Sequence, residues 1–143
     1  MERDNQISNS GGRMLKRLFW KKLYSDLKDV GYQNRTTSTL MKEFDETIAM
    51  IQMQSSSYDS VTYYINMTCV VKALNNIKNP LFDRDGMNFV RIQENDYNKI
   101  IEEVLFYTKA FSSINSLREI TLNDKALYNS SYIALRTFLG IEP

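Results

Sequence analysis

The chain has 143 residues, which fits one domain by length, and 43% hydrophobic and 12% aromatic residues argue against general disorder. Its 18 Lys+Arg against 17 Asp+Glu give a net charge of +1, without the basic excess that nucleic-acid binding wants. Histidine is absent, which removes imidazole as general base, as metal ligand and as a member of any catalytic triad.

In chain order, residues 1–12 are polar, end in Gly11-Gly12 and read as a loose tail, so the folded domain is expected over 13–143. From Arg13, Leu15, Leu18, Phe19, Leu23, Tyr24 and Leu27 recur at helical steps, and Gly31 stops the helix. Its basic residues alternate with Asp26 and Asp29, which favours a solvated face over a lipid-bound one. A polar connector, 33–39, leads to a predicted helix over 40–54 with Leu40, Phe44, Ile48 and Ile51 on one stripe. Ser55-Ser56-Ser57 breaks it, and Ser57 or Asp59 can cap a third helix running to about Lys78. Pro80 ends or restarts that segment. Asp83-Arg84-Asp85-Gly86 is a turn; as a calcium loop it fails, because the first and last ligand positions would be Leu81 and Ile92. Apolar recurrence from Asn88 to Phe111 predicts a further helix, 112–115 a turn, and 123–139 a last helix ended by Gly140. The fold class expected is all-α.

Little in the sequence carries chemistry. It has no glycine-rich phosphate loop, no paired-cysteine metal site and no nucleophile beside a base, so no enzyme, cofactor or metal is expected. Cys69, in an apolar run, reads as a buried structural thiol in a reducing compartment. Asn66-Met67-Thr68 has the glycosylation spacing, taken as a chance match in a cytoplasmic chain. No stretch reaches the length of a membrane span, so no stable membrane insertion is expected.

Leu81-Phe82-Asp83-Arg84-Asp85-Gly86-Met87-Asn88-Phe89-Val90-Arg91-Ile92 resembles the first homology motif of the Bcl-2 family of apoptosis regulators. Phe89 stands for that motif's tryptophan and Val90 for its glycine. Leu40 to Glu46 looks like the third homology motif, and Leu27 to Tyr32 is similar to the fourth. The resemblance implies a divergent member of virus-encoded type: a helical bundle around a central helix, with a hydrophobic surface groove. It implies a pro-survival protein that sequesters the BH3 helices of death-promoting partners, an amphipathic helix laid in a groove. The groove residues it implies are Phe44, Ile48, Tyr64, Met67, Val71, Leu74, Asp85, Met87, Asn88, Phe89 and Arg91, with Arg91 meeting the ligand's aspartate. The alternative is a scaffold or immune-signalling antagonist on the same fold with a dead groove, and a homodimer is left open.

Overall fold

The structure, a computed structural model, describes residues 12–55 and 63–141. In chain order its elements are α1 (Gly12–Lys28), β1 (Gln33–Thr36), β2 (Thr39–Glu43), β3 (Thr47–Ser55) and β4 (Tyr63–Val71). There follow α2 (Phe82–Asp85), β5 (Val90–Ile92), α3 (Tyr97–Ala110), α4 (Ile114–Asn123), α5 (Lys125–Ser130) and α6 (Ile133–Phe138). The strands form one antiparallel sheet in the order β1-β2-β3-β4-β5.

The all-α expectation is therefore overturned. The helix predicted over 40–54 is β2, a tight turn and β3, paired from Thr39↔Gln52 to Glu43↔Ile48. The described part of the third predicted helix, expected to run to about Lys78, is β4 followed by a turn, with β4 in register with β3 from Thr47↔Val71 to Ser55↔Tyr63. The segment from Asn88 divides into β5 and α3, and the last predicted helix divides into α5 and α6, while α4 occupies a stretch read partly as a turn. The tail assigned to 1–12 lies outside the described residues except for Gly12, which opens α1; the Ser57 or Asp59 cap lies outside them too.

The cause of the misreading is burial on both faces. Thr47 to Ile51 and Ile65 to Val71 are all buried, so neither run shows the alternation of a half-exposed strand. Their β-branched and aromatic content was the remaining strand signal. The first helix fits its expectation: Gly31 has φ 103°, and Tyr32 N–H reaches back to Leu27 O at 3.2 Å to close its end.

One face of the sheet is covered by α1 and α3. Phe19, Leu23 and Leu27 on α1 and Ile100, Val104 and Thr108 on α3 are buried at successive helical turns. Phe19 packs on Tyr63 of β4 and Tyr97 of α3, with ring centroids 4.7 and 5.8 Å apart. Tyr32 Oη and Thr108 Oγ1 hydrogen-bond at 2.6 Å, and Thr47 Oγ1 donates to Phe111 O at 2.5 Å, tying the sheet to α3.

Among the described residues the opposite face is covered only in part, by the chain between β4 and β5. That segment crosses the sheet to β1, where Arg35 donates to Pro80 O and Asn79 O at 2.8 and 3.0 Å. It returns through α2, burying Phe82 and Met87. Gly86 makes the return possible. A Cβ there would lie 2.5 Å from Thr68 Oγ1 and 2.7 Å from Phe82 O, so only glycine lets this backbone meet the sheet. The expected turn glycine is thus a close-approach glycine, with an ordinary φ of −62°.

Asp85 holds the crossing together. Its carboxylate accepts from Arg84 Nε at 3.0 Å, Leu81 N–H at 2.7 Å and Asn75 Nδ2 at 3.2 Å. The Arg84 guanidinium is the largest influence, and with these other donors it holds the carboxyl below the usual carboxylate range against the opposing effect of burial.

Two outcomes follow. Gly86→Ala should destabilise the fold by about 1–3 kcal/mol through overpacking against Thr68, measurable by urea unfolding. For Asp85 the folded-state pKa is depressed, so its stabilisation is complete above the unfolded value of about 4 and is lost as pH falls through the lower folded value. Asp85→Asn should therefore be less stable than wild type at pH 7, with the gap narrowing below about pH 4; a gap unchanged at pH 3 would contradict this role.

Candidate functional site

Beyond the crossing segment, the end of the second face that no described element covers carries polar side chains at alternate positions. Gln52 and Gln54 come from β3, Tyr64 and Asn66 from β4, and Arg91 from β5, with Phe89 just before it. The pairings Gln52↔Asn66, Gln54↔Tyr64 and Asn66↔Arg91 set them side by side on one face.

Arg91 organises the cluster. Its Nε–H donates to Asn66 Oδ1 at 2.9 Å and its Nη2–H to Gln54 Oε1 at 2.8 Å. The guanidinium carbon lies 4.1 Å from the centroid of the Tyr64 ring and 5.7 Å from that of Phe89. Phe89 in turn meets Phe82 edge to face, with centroids 6.4 Å apart. The planar cation is thus positioned by two amide oxygens and two aromatic rings.

Because arginine can only donate, it fixes which way the amides point. Asn66 must turn its oxygen to Arg91, so its Nδ2 faces β3 and donates to Gln52 Oε1 at 3.2 Å and Gln54 Oε1 at 2.9 Å. Both glutamine oxygens are thereby turned inward. Gln52 Nε2 then reaches Asp83 Oδ1 at 3.4 Å, whereas Gln54 Nε2 has no acceptor among the described residues. Of the five N–H groups of a guanidinium, two of Arg91's are engaged and the others have no acceptor among the described residues. The outward polar groups at Arg91 and Gln54 are donors, and no carboxylate pairs with Arg91 among the described residues.

Of the eleven residues expected to line a groove, Tyr64, Phe89 and Arg91 come together here. Ile48 lies on the same face, buried under the crossing segment, and Met67 and Val71 lie on the helix-covered face. Leu74 sits in the turn after β4, half exposed. Asp85 ties the crossing segment to itself, through Asn75, Leu81 and Arg84, while Met87 and Asn88 hold it to the sheet: Met87 Sδ accepts from Val71 N–H at 3.4 Å and Asn88 Oδ1 from Cys69 N–H at 2.9 Å. Phe44 lies in the β2–β3 turn, under the Lys42 ammonium. The helix-lined groove is not formed by these residues, because Ile48, Tyr64, Met67, Val71 and Arg91 are in strands.

Phe44 also borders a cleft of about 640 Å³ with Glu43, Asp45, Glu46, Ser112 and Ser113. Two of its acids are engaged structurally, Glu43 with Lys72 at 2.6 Å and Glu46 with the Ile114 N–H at 2.9 Å, so the cleft is a weaker candidate. Cys69 is fully buried and its thiol is pushed up by burial, as expected of a structural thiol. Asn66 is fully buried as well, so the glycosylation spacing is a chance match. No group of His, Cys, Asp and Glu side chains among the described residues is arranged to hold a metal ion, and no helix among them is long and apolar enough to cross a membrane.

The residues missed in the sequence are Gln52, Gln54 and Asn66. Their signal was the alternation Gln-Met-Gln and Tyr-Ile-Asn, legible only once both segments are strands. If Arg91 sets the amide row, Asn66→Leu should release the guanidinium and weaken its hold on Gln54; faster exchange of the Arg91 Nε–H in NMR spectra is expected, and unchanged exchange would contradict the arrangement.

No curated protein and no solved structure matches the chain. A family match covers residues 23–96, more than half the chain, from Leu23 on α1 through β5. It includes the whole sheet, the crossing segment and every residue of the Arg91 cluster. The chain belongs to the family described as a domain of unknown function, DUF4304.

Proposed function

We propose that this protein is a non-catalytic binding module that recognises a carboxylate on a partner protein through Arg91. The observation that carries the reading is the donor-only outward side of the Arg91 and Gln54 side chains: a guanidinium held on one side by Asn66 and Gln54, flanked by two rings, its other N–H groups without an acceptor among the described residues. An acceptor-only anion is the complement of such a site. A carboxylate fits better than a phosphate, because Arg91 is the one cation among the described members of the cluster and a dianion would call for more. The expectation that Arg91 meets a partner's carboxylate is thus retained on a sheet. BH3 sequestration is not carried forward, since it required a groove between helices.

The test is titration of labelled protein with N-acetylglutamate methylamide, followed through the Arg91 side-chain resonance. Saturable shifts of Arg91, Gln54 and Tyr64 are expected. Arg91→Gln should weaken binding by roughly ten- to a hundredfold, since charge-assisted hydrogen bonds contribute about 1.5–3 kcal/mol. Arg91→Lys should recover only part, because the ammonium keeps the charge without the fork. Equal binding to wild type and Arg91→Gln would sink the reading.

A further inference from the structure

The site lies at the edge of the sheet, and that edge is closed along only part of its length. Ser130, at the end of α5, accepts the Phe89 N–H through its hydroxyl at 2.9 Å and donates to Phe89 O at 2.9 Å. One hydroxyl thus takes the place of a neighbouring strand. Next to it, Tyr132 N–H donates to Met87 O at 3.0 Å. The backbone groups of Phe89 therefore point away from β4.

Along an extended strand these groups alternate in direction from residue to residue. Val90 and Ile92 turn theirs toward β4, opposite Met67 and Ile65. Arg91, two residues past Phe89, turns its N–H and C=O outward as Phe89 does. Neither has a hydrogen-bond partner among the described residues. The plug thus ends one step short of the residue whose side chain carries the open guanidinium.

From this juxtaposition we infer that the partner's carboxylate arrives on an extended segment, which adds as a strand beside β5 and sets an acidic residue opposite Arg91. This rests on the carboxylate reading above and adds the form of the ligand. A residue opposite Arg91 in an antiparallel pair exchanges both backbone hydrogen bonds with it and places its side chain on the same face. An acidic side chain there reaches the unengaged guanidinium N–H groups, with Phe89 on one flank. Strand addition of this kind takes affinity from the main chain and selectivity from alternate side chains.

A second copy of this chain is the poorer occupant. A two-fold pairing of β5 with β5 centred on Arg91 would set two guanidinium groups opposite each other, and like charges directly opposed are destabilising. The other edge, β1, is less suited to a partner strand, since its register shifts between Asn34 and Thr36.

The probe is the pentapeptide acetyl-Thr-Val-Glu-Val-Thr-amide, titrated into full-length labelled protein with Arg91 N–H exchange as a second readout. Two further peptides carry an N-methyl group, one on the glutamate nitrogen and one on the following valine nitrogen. The glutamate N–H would face β5 and the valine N–H would face away. Glutamate methylation should weaken binding at least about fivefold through a lost hydrogen bond and added bulk, whereas valine methylation should leave it nearly unchanged. Bound peptide should also slow exchange of the Arg91 amide. If both methylated peptides bind like the parent, strand addition is wrong while carboxylate recognition stands. If the glutamine analogue of the peptide binds like the parent, or Arg91→Gln binds it unchanged, the carboxylate reading fails. In that case the methylation pattern still decides whether a strand adds. Binding by none of the peptides at millimolar concentration overturns strand addition, and a monomer–dimer equilibrium abolished by mutating Arg91 would assign the edge to a second copy instead.

Discussion

Where Gly86 meets Thr68, the backbone between β4 and β5 lies directly on the Thr68 side chain of β4, with no side chain of its own at that point. This contact decides how much of the second face is covered. It brings Met87 and Asn88 against Cys69 and Val71, seats Phe82 over the apolar half, and delivers the chain to β5 beside β4. The cover stops at Phe89. Past that point the face has no roof among the described residues, and its side chains are Gln52, Gln54, Tyr64, Asn66 and Arg91.

A half-covered face needs polar residues whose hydrogen bonds do not depend on the cover. Here one arginine supplies the order. Its inability to accept propagates through Asn66 to two glutamines, so a cation at β5 fixes amide orientations on β3. The arrangement leaves donors facing outward, which is the physical basis for expecting an anion there. The same strand that presents Arg91 has its backbone closed by Ser130 at Phe89 and open at Arg91, so side-chain and main-chain donors are available together.

Parts of this were legible in the sequence. The first helix and its Gly31 end were, because α1 is amphipathic and glycine alone tolerates φ 103° without cost. Arg91 is singled out through the resemblance, at the start of an expected central helix, and the structure places it on β5 instead. The sheet was not. Ile48, Met50 and Val70 lie under the crossing segment while Ala49, Ile51 and Cys69 face the helices, so apolar residues occupy both parities and erase the period of two. Asp85-Gly86 resembled a turn leading into a helix because Phe82–Asp85 is one helical turn; that it leads into a strand depends on the tertiary fit of Gly86 against Thr68, which no local pattern encodes.

The measurement closest to the centre of this account is the through-hydrogen-bond scalar coupling between the Arg91 Nε and the Asn66 side-chain carbonyl. The account predicts a detectable coupling, together with proton contacts from the Asn66 amide group to Gln54 rather than from the Gln54 amide group to Asn66. A missing coupling, or the Gln54 amide protons found against Asn66, would mean that Arg91 does not set the row and that Gln54 does not present a donor outward.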